Sequence, residues 1–266
     1  MQIEQILFPV DFTDRSRSLN GEVAWLAERF GAIVTLLHVG ETPGDWIRDY
    51  ALPIPEGRLR RVCRKGDAAT EILEWANERE TDVIVMGTKG VDPLCGLMIG
   101  SVTMKVLQEA DCPVWLHAGG RTFQGVDQIV CLLELAEEGV PLLRYARDAA
   151  EIFNARVRLV HMTPARTEQR FSAPHFSERL GEMAASQIVT MQQMAGTDFP
   201  VAITPGMVGL DAGELARDLN ADLIVIGRGH MRETFGALRT HTFDIIGKAG
   251  CPVLSYAVAR CVNTNG

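Results

Sequence analysis

No apolar run in these 266 residues approaches the roughly 18–20 that a bilayer-crossing helix requires, so no membrane partner is expected. Met1-Gln2-Ile3-Glu4 lacks the basic n-region and apolar core of a secretory leader, and the expected compartment is cytoplasmic. There is no basic excess either. The formal net charge is −8, the wrong sign for nonspecific nucleic-acid binding. A specific anion site stays open, because a site is local and net charge is not. Six cysteines occur without a CxxC pair. Cys112 and Cys251 each precede Pro-Val at the start of a predicted strand, where a buried apolar thiol is expected rather than redox chemistry. Zinc-type spacing is absent, as is a G-x4-G-K-[ST] phosphate loop. Gly227-Arg228-Gly229-His230-Met231-Arg232 only begins like a dinucleotide fingerprint. What is left is a globular composition, 47% hydrophobic and 23% charged, at a length that suits two domains of about 120–140 residues.

What is present is a tandem duplication. Gln5 to His38 and Gln128 to His161 are one segment written twice. Thr81-Asp82-Val83-Ile84-Val85-Met86-Gly87 recurs as Ala221-Asp222-Leu223-Ile224-Val225-Ile226-Gly227, and Cys112-Pro113-Val114 as Cys251-Pro252-Val253. The domains are expected at 1–118 and 126–259, joined by the short linker Ala118 to Gly125.

In the first copy, Ile3 to Val10 is a nearly continuous apolar run, as in a strand buried on both faces. Val23, Leu26, Ala27 and Phe30 give Arg15 to Phe30 a helical spacing. Strands are predicted at Ala32 to Val39, Leu59 to Arg64, Asp82 to Met86 and Pro113 to His117. Helices are predicted at Ala68 to Glu80, with Ile72, Leu73, Trp75 and Ala76 inward, and at Ser101 to Glu109. Strands alternating with helices imply an α/β fold, with parallel pairing and helices on both faces of each sheet. Between its second and third strands the first copy has about twenty residues, including Pro43, Pro53 and Pro55, read as a lid or an open edge. The second copy uses the equivalent interval for a helix at about Ser177 to Met194.

Chemistry concentrates where the fourth strand of the first copy runs into Gly87-Thr88-Lys89-Gly90, followed nine residues later by Gly100-Ser101. A glycine at a strand end lets backbone approach a ligand. A second one can aim successive N–H groups into an anion-binding concavity. Gly100-Ser101 then presents a helix N-terminus, whose unpaired N–H groups and dipole favour a phosphate, with the Ser101 hydroxyl either capping the helix or bonding a phosphate oxygen. In a doubly wound sheet the crevice lies at the carboxyl ends of the strands. Asp11 would face the glycine loop there, either holding a ribose or adenine group or serving as a turn carboxylate. Thr13 and Asp14 are further candidates for the helix cap. Val39 offers backbone groups and an apolar wall to a base. Lys89 and Lys105 read either as phosphate partners or as exposed lysines, and Asp92 could reach a metal through water.

These residues resemble the universal stress protein family in its tandem form. Its G-x2-G-x9-G-[ST] motif is met by Gly87, Gly90, Gly100 and Ser101. Pro9-Val10-Asp11, His38-Val39, Gly66-Asp67 and Gly100-Ser101-Val102-Thr103 also look like family signatures. The resemblance implies two doubly wound domains, each a five-stranded parallel sheet of order 3-2-1-4-5. It implies ATP, with or without Mg2+, held by Pro9, Val10, Asp11, Val39, Met86, Gly87, Lys89, Gly90, Gly100, Ser101, Val102 and Thr103. It also implies pairing of the copies through their last strands, and a homodimer is a further expectation.

The second copy departs from this pattern. His230 stands for Gly90, Arg239 for Gly100, Thr240 for Ser101 and Glu134 for Asp11. A Cβ in the nest and a guanidinium at the helix start should block close approach, so the nucleotide is expected in the first copy alone. Arg228, His230, Arg232, Arg239 and His241 read as a basic cluster for another anion, as a partial metal site with His161, or, as we expect, as decay into solvated surface. His38 and His161 are expected to be one structural histidine, repeated. No residue clearly orients a hydrolytic water, so the expectation is a regulatory binding module, with a slow ATPase and a nucleotide-free dimeric scaffold as alternatives.

Overall fold

A computed structural model describes residues 2–41, 50–88, 91–92, 96–97, 99–117, 123–136, 138–163, 176–205, 214–228, 242 and 245–256. The chain divides into two compact units, residues 2–125 and 126–266, taken here one at a time. The N-terminal unit runs β1 (Gln5–Pro9), α1 (Asp14–Ser18), α2 (Asn20–Phe30), β2 (Ile33–Val39), β3 (Leu59–Arg64), α3 (Ala68–Glu78) and β4 (Val83–Gly87). A short antiparallel pair follows, β5 (Val91–Asp92) with β6 (Gly96–Leu97), and then α4 (Ser101–Glu109) and β7 (Val114–His117). Its main sheet has the order β3-β2-β1-β4-β7, and every pairing in it is parallel.

Ile6, Leu7 and Phe8 in β1, Val34, Leu36 and Leu37 in β2, and Ile84 and Val85 in β4 are all essentially inaccessible. Covering on both faces is what their unbroken apolar runs require. The C-terminal unit repeats the plan with β8 (Gln128–Leu132), α5 (Gly139–Phe153), β9 (Arg156–Thr163), α6 (Phe176–Ala195), β10 (Val201–Pro205), β11 (Leu223–Gly227) and β12 (Val253–Tyr256). Its order is β10-β9-β8-β11-β12, again parallel throughout. Each unit therefore has the five-stranded 3-2-1-4-5 sheet. Among the described residues no helix is long and apolar enough to cross a membrane.

The copies share more than topology. In the first, Asp82 Oδ2 accepts hydrogen bonds from the Glu4 and Gln5 N–H groups at 2.7 and 2.8 Å, and the Asp82 N–H donates to the Gln5 carbonyl. In the second, Asp222 Oδ2 accepts from the Asp127 and Gln128 N–H groups at 3.2 and 3.0 Å, and its own N–H donates to the Gln128 carbonyl. The helix after the first strand ends alike in both, on a left-handed residue. Gly31 has φ 66° and Asn154 has φ 54°. The next N–H, of Ala32 or Ala155, returns to the carbonyl of Ala27 or Ala150, which satisfies a terminal carbonyl.

Four local expectations need correction. The helix expected from Arg15 to Phe30 is two helices, because the Leu19 N–H turns back to the Ser16 carbonyl and tightens the chain between them. Burial of the Leu19 side chain offsets that irregularity. Trp75 does not join the core: it is half-buried, with the Arg64 and Arg79 guanidinium carbons 4.9 and 5.1 Å from its ring centroid. Helix α3 stops at Glu78, since Glu80 takes a left-handed φ of 48° and the Thr81 N–H closes on the Ala76 carbonyl. The connection read as a lid or open edge is anchored where it is described. Tyr50, Leu52 and Ile54 are buried, and the Tyr50 hydroxyl donates to Asn20 Oδ1 at 2.8 Å. Pro43 lies outside the described residues. Cys112 and Cys251 are buried, as expected.

Asp82→Ala leaves two strand-leading N–H groups without their carboxylate. The expected cost is about 2 kcal/mol, measured as a lower urea midpoint, with Asp82→Asn losing less because it keeps one acceptor oxygen.

Candidate functional site

A cavity of about 300 Å³ opens at the carboxyl ends of β1, β2 and β4 in the N-terminal unit. This is where strands on either side of β1 connect in opposite directions and leave the sheet top uncovered. The end of β1 contributes Pro9, Val10 and Asp11, β2 contributes Leu37 and Val39, and β4 contributes Met86 and Gly87. Gly100, Ser101, Val102 and Thr103, at the start of α4, form the facing wall. Ten of the twelve anticipated contact residues thus line one space. Lys89 and Gly90 lie outside the described residues, and so does the side chain of Asp92.

Two walls are fixed from behind. Gly87 pairs in register with His117, and the Thr88 N–H donates to the His117 carbonyl at 3.2 Å. Thr103 Oγ1 donates to the Gly87 carbonyl at 3.1 Å, so this hydroxyl holds the loop in place. The cap of α4 is Gly100, with no side-chain cap bond, and Ser101 falls at the first helical position rather than at the cap. By contrast α1 and α3 are capped by Thr13 and Asp67. Among the described residues no side chain accepts from the first N–H groups of α4, which belong to the cavity wall.

Asp11 makes a turn. Its Oδ1 accepts from the Thr13 N–H at 3.1 Å and from the Thr13 hydroxyl at 2.7 Å. Partial burial pushes its carboxyl up, but bonds from Thr13 and Ser16 outweigh that and hold it below the usual aspartate value. The next residue, Phe12, has a left-handed φ of 68°, uncommon for a bulky side chain. Ring contacts stabilise it, with centroids 4.5 Å from His38 and 5.8 Å from Tyr50. His38 Nδ1 lies 3.0 Å from the Val10 carbonyl, and since a carbonyl only accepts, this nitrogen carries the proton.

Lys105, a candidate phosphate partner, is engaged elsewhere. Its ammonium donates to Asp67 Oδ1 at 3.2 Å and to Thr70 Oγ1 at 3.0 Å. Bonds from Thr70, assisted by Lys105, hold the Asp67 carboxyl at about 2.

Several lining residues escaped the sequence reading, among them Thr13, Arg15, Ser16, Ala68, Ile72 and Thr88. Thr88 is the most informative. Only 1% of it is exposed, yet its hydroxyl has no hydrogen-bond partner among the described residues. Buried hydroxyls are nearly always paired, so an unpaired one in a residue that lines the cavity stands out. Its place between two glycines of the motif was the available signal.

The second copy differs at the same place. Its cavity is about 80 Å³, lined by aliphatic residues such as Leu132, Leu142, Val160 and Ile226 together with Glu134, Glu138 and His161. Burial, and the Glu138 carboxylate beside it, push the Glu134 carboxyl above the usual glutamate value. Met191, from α6, lies so close over Gly139 that a Cβ there would be 2.0 Å from its methyl carbon. His161 Nδ1 bonds the Leu133 carbonyl at 2.9 Å, just as His38 bonds Val10. The repeated structural histidine is therefore present. Arg228 is buried, with 3% of its surface exposed, not a solvated remnant. His230, Arg232, Arg239, Thr240 and His241 lie outside the described residues. No group of three His, Cys, Asp or Glu side chains among the described residues could hold a metal ion.

The sequence profile described as the universal stress protein family matches residues 48–117 and then, separately, residues 125–256. The chain belongs to the universal stress protein family. Universal stress protein YxiE of Bacillus subtilis is 45% identical over 141 residues, which cover 41% of this chain and 95% of that protein. A universal stress protein of Methanocaldococcus jannaschii is 29% identical over 135 residues, covering 42% of this chain and 79% of the relative. Relatives of this kind match about one copy's worth of the chain. A solved structure from Pseudomonas aeruginosa PAO1 matches the full tandem arrangement, with a TM-score of 0.73 and 18% identity, covering 97% of this chain and 95% of that one. At that identity the likeness concerns the fold alone.

Thr88→Val replaces the unpaired hydroxyl with a methyl of nearly the same shape. In ligand-free protein it is expected to raise stability by about 1 kcal/mol, read as a higher urea midpoint. A lower midpoint would mean that the hydroxyl already has a partner.

Proposed function

We propose that this tandem universal stress protein is a stress-response regulatory module that binds one ATP, with or without Mg2+, in its N-terminal unit and none in its C-terminal unit. The observation that carries the reading is the N-terminal cavity itself. Gly87, the uncapped start of α4 and the unpaired Thr88 hydroxyl meet there in about 300 Å³, at the lower end of the usual ligand-pocket range. The apolar wall from Val39 and Ile72 suits a base, and the ionised Asp11 suits ribose or amino hydrogens. The phosphates then run toward the N–H groups of α4. In the second copy a cavity of about 80 Å³ with two carboxylates on its wall suits no polyphosphate.

Binding without turnover is the better reading of the chemistry. A general base works best with a pKa near the operating pH, whereas Asp11 is held low and already accepts two bonds from Thr13. Pairing of the copies through β7 and β12, which would cover two sheet edges, belongs to the same proposal. So do a homodimer and a cytoplasmic location.

The test is to denature the purified protein, then identify and count what it releases by mass spectrometry, alongside Gly100→Arg. About one ATP per chain, absent from the variant, is the expected result. About two per chain would overturn the assignment to one unit, and ADP in place of ATP would restore the slow ATPase. No nucleotide, with none taken up on adding ATP, would leave the scaffold.

A further inference from the structure

We infer that Arg15 makes the N-terminal site selective for nucleoside polyphosphates over monophosphates, and that charge reversal at the equivalent position helps to close the second site to them. The inference rests on the reading that the N-terminal cavity takes an adenine nucleotide.

Arg15 lies in the first turn of α1 and is the one cationic residue among the described residues that line the cavity. The turn that presents it is set by several contacts. Thr13 caps the helix, the Ser16 hydroxyl donates to the Thr13 carbonyl at 3.0 Å, and Phe12 is held against His38 and Tyr50. The stem of Arg15 lies over Gly87: a Cβ built on that glycine would sit 3.7 Å from Arg15 Cγ. The aliphatic part thus covers the start of the glycine loop, and a guanidinium a few bonds beyond Cγ is within reach of a phosphate chain that leaves the nucleoside there. Asp11, held ionised, repels phosphate from the end of β1, and this orients the chain further toward Arg15 and α4. A guanidinium offers several donors in a fixed fork that suits phosphate oxygens. An α-phosphate close to the backbone N–H groups gains little from it, whereas the phosphates beyond gain more.

The duplication supplies an independent observation. Counted along the repeat that places Glu134 at Asp11, Arg15 corresponds to Glu138. Glu138 lines the second cavity, and its charge is felt there, because it helps push the Glu134 carboxyl up. One position, on the same wall of the same crevice, carries a cation in the roomy site and an anion in the small one.

The test uses the full chain and titration calorimetry with AMP, ADP and ATP on the wild type, Arg15→Gln, Arg15→Lys and Arg15→Glu, with circular dichroism confirming the fold. Arg15→Gln is expected to weaken ATP about tenfold and AMP less than twofold. Arg15→Lys should keep most of the preference and Arg15→Glu should abolish it. Equal losses for AMP and ATP, or an unchanged ATP-to-AMP ratio in Arg15→Gln, would overturn the role of Arg15 while leaving the nucleotide reading intact. A wild-type protein that binds none of the three would overturn both.

Discussion

The central strand of each unit is held at both ends by side chains from its neighbours. At the start of β1 the Asp82 carboxylate gathers two backbone N–H groups, and at its end His38 donates to the Val10 carbonyl. Asp222 and His161 do the same for β8. A parallel strand has no hairpin to fix its register, and a slip of one residue would turn its side chains to the opposite faces. Two side-chain clamps a strand's length apart oppose such a slip. They also settle where β1 must end, and hence where the crevice opens. The left-handed Phe12, the Asp11 turn and the Thr13 cap all follow within four residues of that end.

With the frame held constant, the two sites diverge through a few side chains. Glu134 at the place of Asp11 and Glu138 at that of Arg15 turn a mixed-charge wall into an acidic one. Helix α6 brings Met191 over Gly139, where even a methyl group would collide. Methionine suits such a task, since its unbranched chain fills irregular space. Filling the crevice with apolar atoms gains dispersion contacts that an open pocket forgoes. The first copy keeps an open cavity, which costs stability.

How much of this the residues announce depends on the range of the interaction. Leu59 to Arg64 and Ser101 to Glu109 match the observed β3 and α4 residue for residue, because apolar runs and a glycine at a helix start are local signals. The break at Leu19 was hidden, since a buried leucine fits either one helix or two. Trp75 was placed inward on its periodicity, but Arg64, on another element, competes for its ring face. Lys105 could not be assigned without knowing that Asp67 and Thr70 stand across from it. The glycines of the motif were legible because their absent side chains have one plain use. Thr88 and Arg15 were not, because a threonine and an arginine have many uses, and only the fold shows that both line the cavity.

The polar groups around the cavity show a division of labour. Behind the glycine loop, buried Glu22 accepts from Trp115 Nε1 and from His117 Nδ1, the latter at 2.6 Å. His117 offers its carbonyl to the Thr88 N–H, and Thr103 occupies the Gly87 carbonyl. Helix α2 is thereby tied through β7 to the peptide on which the loop begins. Among the described residues that line the cavity, the Thr88 hydroxyl and the leading N–H groups of α4 have no side-chain partner. A surface braced from behind and unsatisfied in front needs little reordering when an anion arrives, and reordering is a main cost of association. In a chain of net charge −8, affinity for a phosphate has to come from such fixed, local dipoles, with the charge of Arg15 deciding how long a phosphate chain they can hold.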